Sequence, residues 1–138
     1  KEEEERMVEA IRSAEKQTSG EVRLYVESHC KMVDPLDRAK ELFLQLEMMK
    51  TKDRNAVLLY FAMKDRQLAI LGDEGIHQRL GQDFWNNEIK TIVAEFKQHQ
   101  FVDGICHMIA DVGEALKSNF PYSSDDKNEL SDGIVFGK

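Results

Sequence analysis

The sequence predicts an α/β fold: a βαβ unit with an antiparallel strand added and helices laid over the sheet. Three observations carry that prediction. Residues 21–27 alternate, with Val22, Leu24 and Val26 on one side and Arg23, Tyr25 and Glu27 on the other, as in a strand with one better-buried face. Residues 56–63 read AVLLYFAM, an unbroken apolar run of the kind found in a central strand covered on both faces. Amphipathic helical spacing precedes, separates and follows these strands.

Residues 3–18 place Met7, Ile11 and Ala14 on one helical stripe, with Val8 beside it. Charge fills the other faces, and Glu2 to Glu5 suit the positive end of a helix dipole. Thr18-Ser19-Gly20 ends that helix before the first strand. Asp34-Pro35 is a helix start, because Asp caps free N–H groups and Pro lacks one that would go unpaired. Leu36, Ala39, Phe43 and Leu46 continue at helical spacing. A charged linker at 50–54 leads into the apolar strand. After the polar break Lys64-Asp65-Arg66, residues 67–71 read as the second arm of a hairpin. Trp85, Ile89, Ile92 and Phe96 then mark one helix, and Ile105, Ile109, Val112 and Leu116 a second, with His99-Gln100 between them.

The expected domain spans residues 1–120. Residues 121–138 form a polar tail whose apolar triplet, Ile134 to Phe136, either docks as an edge strand or stays loose.

At 138 residues the chain can build one core without disulfides or a metal staple. Its 26 acidic and 19 basic side chains, a formal charge of −7, argue against nucleic acid, whose binding needs clustered Lys and Arg. The same sign argues against anionic membrane surfaces. No apolar run approaches the roughly 20 residues of a membrane span, and the first residues are acidic where a signal peptide is basic. A soluble protein is expected, with the cytoplasm favoured. Cys30 and Cys106 belong to no metal-ligand or redox spacing.

Phosphate-binding glycine loops, zinc-protease helices, nucleophile elbows, Cys-x5-Arg loops and complete EF-hand loops are all missing. What remains follows from topology. With strands 21–27 and 56–63 parallel and 67–71 antiparallel, Ser19-Gly20-Glu21, Asp53-Arg54-Asn55 and Gly72-Asp73-Glu74-Gly75 meet at one end of the sheet, within reach of Asp83. Glu21, Asp53, Asp73, Glu74 and Asp83 would then surround Arg54 beside glycines open to a ligand. Hard divalent cations want several oxygen ligands. A bound ion with Arg54 nearby could polarise a phosphate. The plainer account is a solvated loop face with Asp83 as a helix cap. His29, His77, His99 and His107 lack metal-ligand spacing, and Phe84, Trp85, Phe96 and Met48-Met49 are read first as packing residues.

The segments TSGEVRLYVE, DRAKELF, RNAVLLYFAMKDRQLAILGDEG and FVDG, with Asp83 at a helix start, together resemble the TPM domain over residues 4–120. The hairpin is the most specific part: an apolar strand led by Asn55, Asp65-Arg66 in the turn, and Gly72 and Gly75 at its exit. The resemblance implies a three-layer α/β/α sandwich on a small mixed sheet. For some plant members it implies acid phosphatase activity with divalent-metal binding, and for others an accessory or assembly role. Gly20, Asn55, Gly72, Gly75 and Asp83 fit family positions. Ala56 departs from a frequent glycine, and Asp73 from a position commonly aromatic or basic.

The expected function is a ligand- or partner-binding module with a rim holding Ca²⁺ or Mg²⁺. Asp53, Asp73, Glu74 and Asp83 would be the metal ligands. Gly20, Glu21, Arg54, Asn55, Gly72 and Gly75 would contact a phosphorylated ligand or protein partner. The alternatives are a metal-assisted acid phosphatase and a structural assembly factor without metal.

Overall fold

The computed structural model describes residues 2–98, 101–122 and 134–137. Its centre is the apolar run, which forms β2 (Ala56–Ala62) with all seven residues buried. A strand buried on both faces needs a helical layer on each side, and the flanking amphipathic segments supply both. Val57, Leu59 and Phe61 face one core with Val22 and Leu24 of β1 (Glu21–Glu27) and Ile70 of β3 (Gln67–Gly72). That face is covered by α1 (Glu2–Glu15), α3 (Glu74–Leu80), α4 (Gln82–Lys97) and α5 (Phe101–Asn119), through Ile11, Ile76, Trp85, Ile92 and Ile109. Leu58, Tyr60 and Ala62 face a second core with Tyr25 and Ala69, closed by Ala39, Leu42 and Phe43 of α2 (Pro35–Gln45) and by Met48. The three-layer α/β/α sandwich is thus present. Each fully buried large apolar side chain in these two cores contributes about 1.5–3 kcal/mol.

β1 and β2 pair in parallel from Glu21↔Ala56 to Glu27↔Ala62, and β3 is antiparallel to β2. The triplet 134–136 is a strand, β4 (Ile134–Phe136), parallel to β1, and the sheet order is β3-β2-β1-β4. The polar stretch 123–133 that precedes it, like His99-Gln100, lies outside the described residues. Asp34 caps α2 as expected, accepting from the Leu36 N–H at 2.9 Å with Pro35 as the first helical residue. Among the described residues no helix is long and apolar enough to cross a membrane.

Three expectations need correction. Residues 74–80 form α3, so Glu74 and Gly75 are helical and not in a loop. Asp83 does not cap α4: the N-cap is Gly81, without a side-chain bond, and Asp83 lies in the first turn. Tyr25 and Glu27, on the polar side of the first strand, are buried under α2 and beside Gly137.

Candidate functional site

β1 and β2 start, and β3 ends, at one edge of the sheet, which brings the three rim segments together. The Asp73 N–H donates to the Ala56 carbonyl at 2.9 Å, and the Gly75 N–H to the Arg54 carbonyl at 2.8 Å. Asn55 Nδ2 donates to Ser19 Oγ at 3.2 Å. Arg54 Nε and Nη2 grip Asp73 Oδ2 and Oδ1 at 2.6 and 2.8 Å, and its Nη1 lies 3.4 Å from Glu74. Asp73 Oδ1 also accepts from the Glu74 N–H at 2.8 Å and so caps α3. One carboxylate therefore fixes the loop, the hairpin exit and the helix at once. The Asp73 side chain is 6% exposed and that of Arg54 41%, so the cation carries the solvent-facing side of the pair.

The glycines at this edge are explained by close packing. A Cβ on Gly20 would lie 2.7 Å from Leu116 Cδ2, on Gly72 2.5 Å from Trp85 Cζ2, and on Gly75 2.1 Å from the Asp53 carbonyl oxygen. The space each leaves is filled by protein. Glu21 is buried, Asp53 and Glu74 are exposed, and no ion pair or hydrogen bond among the described residues joins Asp83 to the rim. Among the described residues no three Asp, Glu, His or Cys side chains gather closely enough to hold a metal ion. The carboxylates read from sequence share an edge of the fold without forming a ligand cage, because Arg54 and a helix N–H take both oxygens of Asp73. In the segment 51–55 that enters this edge, two buried polar atoms have no partner among the described residues, Thr51 Oγ1 and Asn55 Oδ1.

Beside the ion pair lies a cavity of about 240 Å³, lined by Arg54, Gly72 and Asp73, by Lys40 of α2, and by the apolar groups of Phe43, Leu44, Met49 and Leu71. Leu44 is 65% exposed there. Strand topology points to the charged side of this site and not to its α2 side. Lys40 and Leu44 were detectable as the residues one turn apart on α2 that leave the buried stripe Ala39-Phe43.

At the opposite edge lies a second polar cluster that the alternation of residues 21–27 does not predict. Glu27 and Arg38 are 1% and 6% exposed at their side chains. Arg38 Nε and Nη2 donate to Glu27 at 2.9 and 3.1 Å, the Tyr60 hydroxyl also donates to Glu27, and Arg38 Nη1 pairs with Glu41. Burial alone would raise the Glu27 pKa, but the bonds from Arg38 and Tyr60 outweigh it and hold the carboxyl below its ordinary range. Burial and the bond to Glu27 push the Tyr60 hydroxyl up, so it stays protonated. Among the described residues the histidines are engaged singly: His29 with Asp65 and His107 with Glu95, each at 2.8 Å, and His77 with Trp85 Nε1 at 2.9 Å. Cys30 and Cys106 are free and partly buried.

A mixed four-stranded sheet under two helical layers, with an arginine–aspartate clamp where the parallel strands begin, defines a small α/β/α sandwich domain with a charged rim. The chain belongs to the TPM domain family, whose profile matches residues 1–115. Among solved structures, the NMR structure of the BA42 protein from the psychrophilic bacterium Bizionia argentinensis is similar over 99% of this chain and 93% of its own, with 42% identity and a TM-score of 0.90. The N-terminal domain of cg2496 protein from Corynebacterium glutamicum is similar over 94% of this chain and 72% of its own. At 12% identity and a TM-score of 0.54, that second likeness speaks to the fold alone. No curated protein matches the chain.

Proposed function

We propose that this TPM domain is a binding module that takes a phosphorylated small molecule or partner group into the rim cavity beside Arg54. The observation that carries the reading is the cavity itself. Two cations, Lys40 and Arg54, border an apolar recess of about 240 Å³ whose other polar wall is Asp73. Arg54 is already oriented by its two bonds to Asp73, which lowers the entropy lost when a planar guanidinium meets a phosphate. A divalent ion belongs to this reading as a bridge between ligand oxygens and one or two rim carboxylates, with Glu74 exposed beside Arg54. That is how Mg²⁺ is commonly held when no protein cage exists. The scattered carboxylates support ion binding that is weak alone and stronger with the anion present.

The test is an NMR titration with phenyl phosphate, which combines an apolar ring with the anion. The expected result is movement of the amides of Lys40, Phe43, Arg54, Gly72 and Asp73, enhanced by Mg²⁺. Arg54→Gln should weaken it about tenfold, the scale of a charge-assisted contact. Unmoved rim amides at millimolar phenyl phosphate, with and without Mg²⁺ or Ca²⁺, would sink the reading. Release of phosphate by the wild-type protein, lost in Asp73→Asn, would replace it with a phosphomonoester hydrolase.

A further inference from the structure

A larger cavity lies away from the rim, on the other face of the sheet. It measures about 390 Å³ and is lined by Leu68 of β3, Val93, Phe96 and Lys97 of α4, Phe101 of α5, and Arg66 of the hairpin turn. Its size falls within the range of small-molecule pockets, which are mostly apolar with a few polar groups that fix orientation. The apolar lining is firm: Phe96 packs against Phe101 with ring centres 4.7 Å apart and against the buried Phe61 at 5.8 Å. Val93, 37% exposed, leaves an aliphatic group facing solvent at this site.

We propose that this cavity binds a free small amphiphile, an apolar chain or ring carrying one anionic head, with Arg66 and Lys97 receiving the head. The charge pattern is the argument. On a chain of net charge −7, neither Arg66 nor Lys97 has an ion-pair partner among the described residues, although each is next to or near an acid in sequence. Asp65 is turned to His29 and to the Cys30 N–H, at 2.8 and 2.7 Å. Glu95 is turned to His107. The local acids are thus spent elsewhere, and two cations stand over an apolar floor. Arg66 is held at φ 54°, a left-handed conformation that Gly or Asn adopts at lower cost. A side chain needed at the cavity mouth accounts for arginine there.

The experiment follows amide shifts of the full chain during addition of decanoate, with decanol and acetate as controls for the chain and the head alone. Decanoate should move Leu68, Val93, Phe96, Lys97 and Phe101, and bind at least about tenfold more tightly than decanol, with acetate silent. Arg66→Gln and Lys97→Gln should each weaken decanoate about tenfold while leaving decanol unchanged; both positions are on the surface, and unaltered spectra elsewhere would show that the variants fold. Three outcomes would overturn the proposal: equal affinity for decanoate and decanol, shifts that map outside the cavity, or preferential sedimentation with anionic phospholipid vesicles. The last would make the surface a membrane contact.

Discussion

Glu27 and Arg38 form the most consequential residue pair in the chain, because both charges are out of water and each is the other's main compensation. Removing one partner of a buried pair leaves an uncompensated charge and costs about 3–5 kcal/mol, whereas replacing both with apolar groups of similar volume can be neutral. Arg38→Met should therefore lower the urea midpoint by the equivalent of about 3–5 kcal/mol. Glu27→Met in the same chain should recover a large part of that loss. A double variant no more stable than Arg38→Met would show that the cost lies in lost packing over Tyr25, whose ring centre is 5.9 Å from the guanidinium. This pair was not legible because its members look solvated. Glu27 occupies the polar parity of an alternating strand, and Arg38 lies one residue off the stripe Leu36-Ala39-Phe43. Burial of that parity is decided by the crossover helix and Gly137, which periodicity within the strand does not reveal. The Arg54–Asp73 clamp was closer to legible. Parallel pairing of two strands and an antiparallel hairpin fixed the meeting of its segments, but not which carboxylate the arginine would take.

Among the elements, the helices with three or more periodic apolar residues and the strands with unbroken or alternating runs were readable. α3 was not, since its seven residues bury only Ile76 and give periodicity nothing to repeat. A capping signal was nevertheless present: Asp73 at the start and Gly81 just past the end, where the Gly81 N–H donates to His77. β4 was similarly short, and its docking depends on a residue outside its own apolar triplet. The Gly137 N–H donates to the Val26 carbonyl at 2.8 Å, and a Cβ there would come within 2.7 Å of Glu27 Cβ and 2.8 Å of the Tyr25 hydroxyl. Gly137→Ala should therefore unseat the strand. The expected sign is faster hydrogen exchange at β4, about tenfold or more, with protection at β2 unchanged, because local opening need not involve the core. Equal protection in both proteins would mean that β4 is held by Ile134 and Val135 alone.

At the scale of the whole molecule, the net charge of −7 is unevenly used, and this sets the response to pH. Two carboxyl groups pull in opposite directions. Glu27 has a folded pKa below its ordinary value, so its contribution is present above the unfolded pKa and is lost as pH falls through the folded one. Glu88 on α4 is the reverse. Burial, then the charge and hydrogen bond of Asp111 on α5, push it up to about 7 from 4.5. Its native form binds a proton that the unfolded chain has released, so stability is full below about 4.5 and declines as pH rises towards 7. With solvent screening at a partly exposed site, the loss is on the order of 1 kcal/mol. Urea midpoints measured from pH 4.5 to 8 should fall across that window in the wild-type chain. In Glu88→Gln the fall should flatten, with the variant the more stable of the two at pH 8, since an amide N–H can donate to Asp111 without bringing two negative charges together. A wild-type midpoint that rises through the same window would assign the α4–α5 interface a different proton balance. A fall that survives in Glu88→Gln would place the titrating group elsewhere.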